Sequence, residues 1–519
     1  MDILYRVIGV LFLLCFTTSL ADTLETPRVL FLTLSERGQA NIHLATSHAL
    51  RTAYGDNEVE VHFASFPDIA KAVIKVSEQA GKDIIFHPIG GRSYSEGIQS
   101  LGFDLQKVRH KPGIRGVSEF NWLVAHAAVI EETDPALIVV DTLFMPGIDA
   151  VRSLNYTYIV LSPNDVRNAL LPTQPPLKAL AHWPTMGSGY PYPLPWHLVP
   201  ANIYLIFRLF YTSLTGSHIT NLRSYVQKNG IPGGADLFNV CPENVTWLAA
   251  FSEESQIPFH KPNNVKFCGP IYMSLEPVKK QDPELSDWLE QAPTILIVLG
   301  SHTKYTESQA LEIIGAIKMV LEANDQVQVL WKYIPVIEED HSALIDQEIL
   351  SLRSTGRVRV EGWLQVDPAA LLESGSIVLY VNHGGANSFI EALGAGVPQV
   401  ILACWVDTYD FANQAEWLGI GVWGNRIAAP DWTGEELGNS ILQVLPSDED
   451  CSLGNSNYHR RARELAIPSR ERSGRFIAAE EIMKKVGEEV QQRRKRTKGL
   501  SSGDGTKDGH IPISHGDEL

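Results

Sequence analysis

Two consecutive trains of short apolar, β-branched runs, spaced by helical periods, constrain this chain more than any other feature. The first train reads RVLFLTL from Arg28, a helical period from Asn41 to Tyr54, VEVHFASF, a helical period from Asp68 to Gly81, DIIFHPI, ALIVVDTLF and YTYIVLSP. Strands without a polar face, alternating with helices, belong to parallel sheets covered on both sides. A second train follows the linker-like stretch Glu276 to Glu284. It reads TILIVLGS, a helix from Glu307 to Ala323, VQVLWKY, RVRVEGW, IVLYVNHGG, a helix from Ala386 to Ala395, and VPQVILACW. The pattern predicts an α/β fold of two doubly wound domains, residues 24–275 and 284–446, facing across a cleft. Ligands in such sheets bind beyond the carboxyl ends of the strands, which is where the chemistry is sought.

Composition agrees with buried cores. Of 519 residues, 44% are apolar or aromatic and 20% charged, and five cysteines are too few to staple the fold. The net charge of −17 has the wrong sign for tracking a phosphate backbone, so nucleic acid is not an expected partner. Val7 to Phe16 is an apolar run after Arg6, followed by Ser19-Leu20-Ala21. It is shorter than the ~20 residues of a spanning helix and reads as a signal peptide over residues 1–21, with an uncleaved anchor or a buried helix as the other readings. Cleavage removes Cys15 and leaves Cys241, Cys268, Cys404 and Cys451. The chain ends in SHGDEL, whose last three residues match an endoplasmic reticulum retrieval signal with Gly516 where Lys or His is usual. Residence in the lumen is expected, with a secretory-pathway protein anchored at its N-terminus as the alternative. Asn155 and Asn244 open glycosylation sequons, and the first, in a strand-like stretch, is expected to be unmodified. After residue 446 a polar helical segment is expected over 447–492, then a disordered tail over 493–519 whose basic cluster is solvated.

Asn382-His383-Gly384-Gly385-Ala386-Asn387-Ser388 directly follows the run IVLYV and opens a helix. The glycines admit a ligand close to the backbone, and the N–H groups from Gly385 to Ser388 lie at the positive end of a helix dipole, which makes a cradle for a diphosphate. His383, Asn387 and Ser388 add donors. Glu391 lies one turn beyond Asn387 on the same face, where a carboxylate can accept both hydroxyls of a ribose.

With these residues the chain resembles the UDP-glycosyltransferases of the GT-B fold, in wording closest to a fungal-type branch (ERGQANIHLA; VNHGGANSFIEALGAGVPQVILACWVDTYDFANQAEWLGIGV), over nearly all of residues 28–445. The resemblance implies two Rossmann-like domains, a UDP-sugar as co-substrate, a small lipophilic acceptor and no metal. It assigns the diphosphate to His383, Gly385, Asn387 and Ser388, and the ribose to Glu391. Trp363 matches a tryptophan that stacks on uracil. Gln365 stands one place closer to it than the family's glutamine, because the intervening proline is missing. Ser301 matches a serine facing the phosphates, and His302 is an additional candidate donor. Asp407 and Thr408 occupy the places of the acid and glutamine that bind the sugar hydroxyls, and threonine is too short to reach the same hydroxyl.

In the family a Gly-His pair supplies the general base, and the matching pair here is Gly38-Gln39. Glutamine takes up no proton. His43, one turn on, is the candidate substitute. The alternative is an acceptor acidic enough to need little help. Asp141, ending ALIVVD, matches the aspartate that orients the base, although it could equally cap the following helix. The implied reaction is direct displacement at the anomeric carbon, with inversion to a β-glycoside and departure of UDP, the leaving charge being held by Ser301, His383 and the helix N-terminus.

The loop Leu171 to Pro200 and the apolar stretch 201–214 fall on the acceptor side. That stretch reads first as a core helix, with a lid or a peripheral membrane contact as the alternatives. No Gly-x-Ser-x-Gly elbow supports a hydrolase, and Glu36-Arg37-Gly38 after the first strand does not supply the Gly-x-Gly-x-x-Gly of a nicotinamide enzyme. The remaining rival is a catalytically impaired UDP-sugar-binding or partner-binding protein without a base. The acidic triplet Asp448 to Asp450 follows no apolar strand and reads as solvated charge rather than a metal site.

Overall fold

The computed structural model describes residues 26–90, 93, 122–228, 241–273, 276–301, 303–336, 343–445 and 455–500. The expected signal segment, the retrieval-like tail, His302, Cys451 and Asp448 to Asp450 lie outside the described residues.

Residues 26–273 form one parallel sheet from β1 (Arg28–Leu32), β2 (Glu60–Ser65), β3 (Ile84–Pro88), β4 (Leu137–Asp141), β5 (Tyr158–Ser162), β6 (Trp247–Ala249) and β7 (Val265–Phe267), in the order β3-β2-β1-β4-β5-β6-β7. Helices α1 (Arg37–Ala53), α2 (Ala70–Ala80), α3 (Trp122–Thr133) and α4 (Met145–Ser153) connect the first five strands. The second domain repeats the design with β8 (Thr294–Val298), β9 (Gln328–Lys332), β10 (Val358–Glu361), β11 (Ile377–Asn382), β12 (Gln399–Ile401) and β13 (Gly421–Trp423), in the order β10-β9-β8-β11-β12-β13. Every residue of β4 and of β8 is buried, as a sheet covered on both faces requires.

In both sheets the chain steps outward from a first strand and then crosses to its other side. β1 is flanked by β2 and β4, and β8 by β9 and β11. The loops leaving β1 and β4 diverge, as do those leaving β8 and β11, and each divergence opens a crevice at the strand ends.

The two domains share a core. Phe251 of the first domain meets Phe389 and Phe411 of the second at centroid distances of 6.3 and 6.0 Å, and those two lie 5.0 Å apart, all fully buried. Polar contacts flank this trio. The Asp410 carboxylate accepts Asn168 Nδ2 at 2.9 Å and Gly187 N at 3.2 Å, and Asn413 Nδ2 donates to Tyr190 O at 2.9 Å. A final helix, Gly474–Leu500, returns to the first domain, burying Ala478, Ile482 and Val486 in the same core and donating from Arg493 to Pro135 O at 2.7 Å.

Several expectations change. The last helix runs to Leu500, so residues 493–500 are helical rather than the start of a disordered tail. The linker-like stretch is helical from Val278, with Val278, Leu285 and Leu289 buried in the second domain. The stretch 201–214 is helical within α5 (Val199–Thr215), yet Tyr204, Phe207, Phe210 and Tyr211 are exposed, so it is not a core helix. Asn155 lies on an exposed left-handed turn before β5 rather than in a strand, and Asn244 is exposed as well. Cys241, Cys268 and Cys404 form no disulfide.

Candidate active site

The second-domain crevice holds the glycine-rich segment. β11 feeds directly into His383-Gly384-Gly385 and then α6 (Ala386–Ala395). Buried Asn382 ties the turn down, accepting from Gly384 N at 2.8 Å and donating to Gln399 at 3.0 Å. Gly384 has φ +78°, and a Cβ there would lie 2.7 Å from Ile401 and 3.0 Å from Thr408 O, so no other residue fits. Phe389 N is bonded to Gly385 O at 3.0 Å, and the N–H groups of Ala386, Asn387 and Ser388 form the open first turn. The half-buried His383 ring stands over the turn after β8, where a Cβ on Gly300 (φ +81°) would come within 2.8 Å of it. Exposed Ser301 completes that turn. The imidazole, the turn after β8 and the N-terminus of α6, the positive end of the helix dipole, thus lie together at one end of the sheet.

Glu391, 6% exposed, accepts Asn387 Nδ2 at 2.7 Å. Burial pushes its carboxyl up to about 8, an effect the Asn387 bond offsets in part. Trp363 follows β10 and is 56% exposed, as a stacking platform must be, and Gln365 beside it is exposed too. Ser388 is buried and receives the Tyr380 hydroxyl at 3.3 Å.

Asp407 opens α7 (Val406–Leu418), half-buried, its carboxyl raised to about 6 by burial. Thr408 departs from expectation. It is fully buried, and its hydroxyl accepts from Cys404 N and Trp405 N, each at 3.0 Å, while donating to Trp405 O. That hydroxyl is spent tying down the helix start, so Thr408 does not offer itself to a sugar.

In the first-domain crevice, Asp141 closes β4 with no exposure. Its carboxylate accepts Thr33 Oγ1 at 2.8 Å and Leu143 N at 2.8 Å. Burial raises it to about 7 despite those bonds, and Glu36 adds a repulsive charge. Gln39, in the first turn of α1, is half-buried. His43 overturns its expected role. It is fully buried beneath α1, 6.1 Å edge-on from the Phe31 ring, and burial drives its pKa down to about 3. α1 folds back over the sheet, so each turn carries residues about 5.4 Å farther from the strand ends. His43 is a core imidazole.

Two residues were not singled out from sequence. Glu36, the residue preceding α1, is half-buried and near enough for its charge to act on Asp141, and its signal is an acid two places before Gly38-Gln39. Lys332 directly follows the run VQVLW, and its Nζ lies 3.8 Å from the Trp363 ring centroid.

Comparison with known proteins gives the following. Glycosyltransferase sdnJ of Sordaria araneosa is 33% identical over 505 residues, spanning 88% of this chain and 97% of its own. A UDP-glycosyltransferase of Talaromyces amestolkiae is 28% identical over 44% of this chain and 43% of its own. Among solved structures, a UDP-glucosyltransferase from Polygonum tinctorium, capable of glucosylating indoxyl, superimposes with a TM-score of 0.61 at 16% identity, covering 89% of this chain and 99% of that one. The glycotransferase of kitacinnamycin matches with a TM-score of 0.61 at 17% identity, over 89% of this chain and 100% of its own. Both likenesses concern the fold. No protein-family profile matches the chain.

Proposed function

The chain belongs to the UDP-glycosyltransferases, and from that premise we propose that it moves a sugar from a UDP-sugar to a hydroxyl, phenol or carboxylate of a small lipophilic acceptor, with inversion. The observation that carries this reading is the pairing of two strand-end crevices. One has an anion cradle at His383 to Ser388, and the other has carboxyl groups at Glu36 and Asp141.

The UDP moiety would stack on Trp363, give its ribose hydroxyls to Glu391, and rest its diphosphate on the first turn of α6 with Ser301, His383, Asn387 and Ser388 around it. Asp407 is left to bind the sugar hydroxyls. The acceptor oxygen attacks the anomeric carbon as the bond to UDP breaks, and the negative charge passes to the diphosphate, where fixed N–H groups oppose it. With His43 in the core, we assign the acceptor's proton to Glu36. Asp141 has no surface of its own and acts through its neighbour, holding the loop by its bond to Thr33.

The test is to isolate the product formed from UDP-glucose and a panel of phenols, sterols and terpenoids and to read the anomeric configuration by NMR coupling. A β-glycoside from the α-linked donor supports direct displacement, and an α-glycoside excludes it. The burial of His43 also favours a second reading, a UDP-sugar-binding protein without turnover, which the absence of product with bound donor would support.

The exposed aromatic face of α5 is where we place contact with a membrane surface, and the end sequences support a lumenal location. Expression in a secretory host followed by N-terminal sequencing checks the latter. A mature chain starting near Asp22 is expected, and a retained Met1 contradicts signal cleavage.

A further inference from the structure

Lys332 closes β9, the strand beside β8, at the same end of the second sheet as the Gly300 turn. It is 7% exposed, its Nζ donates to Gly300 O at 3.1 Å, and the same ammonium lies 3.8 Å from the Trp363 ring centroid. Burial alone acts on its acidity, lowering it to about 8, and among the described residues no carboxylate is ion-paired with it. The nearest candidate by register is Glu361 on the adjoining β10, and that carboxylate is taken by Arg359 Nε at 2.6 Å. A desolvated ammonium without a counter-charge is costly, and an anion entering beside it removes that cost.

The surroundings indicate which anion. On one side of Lys332 is the exposed indole assigned to the nucleobase. On the other is the Gly300-Ser301 turn, whose glycine packs against the His383 ring at the start of the anion cradle. Lys332 therefore sits between the expected places of base and diphosphate. We propose that Lys332 is the counter-charge for the donor's diphosphate, and that without donor its ammonium is parked on the indole face. Nucleobase stacking would displace it from the ring, and the Gly300 carbonyl keeps it within reach of the phosphates. It then opposes the charge that builds on UDP as the glycosidic bond breaks. This rests on the UDP-sugar reading and adds to it a binding residue outside the glycine-rich segment.

The test is calorimetric titration of the full chain with uridine, UMP and UDP, for wild type, Lys332→Met and Lys332→Arg. Met keeps the length of the side chain and removes the charge. UDP affinity is expected to fall roughly 10- to 100-fold in Lys332→Met, as for loss of a charge-assisted bond, with UMP affected less and uridine unchanged or tighter. Lys332→Arg should restore most of the UDP affinity. Equal losses for uridine and UDP would mean that Lys332 only props Trp363, and an unchanged UDP affinity would remove its role altogether; either overturns the proposal. A wild-type chain that binds neither ligand overturns the donor reading itself, a result distinct from both. Thermal melts of each variant establish folding, with Lys332→Gln taking the place of Met should that variant not fold.

Discussion

His43 and Gln39 stand four residues apart on α1, yet one is sealed in the core and the other lies at a crevice. Spacing in sequence places two side chains on one face of a helix but not at one depth. His43→Phe is therefore expected to keep kcat within about threefold, measured as UDP release, whereas Glu36→Gln is expected to lower it by about 10² or more, the range for loss of a general base. Acid stability follows from the same ring. With a folded pKa of about 3 against 6.5, the unfolded chain takes up a proton between those values and the folded chain does not. Stability from this residue is thus present above pH 6.5 and lost as pH falls toward 3, and His43→Phe should show a smaller drop in melting temperature from pH 7 to pH 5. Glu391, raised to about 8, gives ligand binding a pH dependence of the same sign. Ribose hydroxyls prefer its ionised form, so UDP should bind more tightly as pH rises from 6 toward 8, and Glu391→Gln should flatten that slope. Residues whose chemistry depends on a local turn were legible in sequence: Asn387 and Glu391 come out as an i, i+4 pair because only helical geometry is needed. Thr408 and Lys332 were not, because their roles depend on tertiary neighbours.

At the scale of elements, α6 was legible from end to end, since the paired glycines before Ala386 and Gly396 after Ala395 punctuate it, the latter at φ +74°. Strands β6, β7 and β13 are three residues each and too short to show a period, so they went unread. α5 shows the limit of apolar content as a guide. Composition made it a core candidate, and only packing reveals that Phe207 and Tyr211 face solvent at 63% and 66% exposure. If that face meets a bilayer, the double variant Phe207→Asp with Tyr211→Asp should lose sedimentation with neutral lipid vesicles while keeping UDP affinity. Equal sedimentation of the two proteins would remove the membrane role.

For the whole molecule, the two sheets and the cleft were legible because uniformly apolar strands alternating with helices permit few other arrangements. The joint between domains was not, because it is assembled from residues far apart in sequence. Phe251, Phe389 and Phe411 share one core, and Asp410 reaches Asn168 and Gly187 across the boundary. Phe251→Ala should cost about 3–5 kcal/mol, read as a lower urea midpoint, and should weaken coupling between the halves. The net charge of −17 says little about the local field at the proposed diphosphate site, beside which His383, Lys332 and the α6 N-terminus lie. The central claim is that this chain transfers a sugar from UDP across that cleft. It is tested most directly by measuring UDP release from a UDP-sugar with and without a lipophilic acceptor panel. Acceptor-dependent release, abolished by Glu391→Ala, is the predicted result. Donor that binds and is never turned over, with any acceptor, would contradict it.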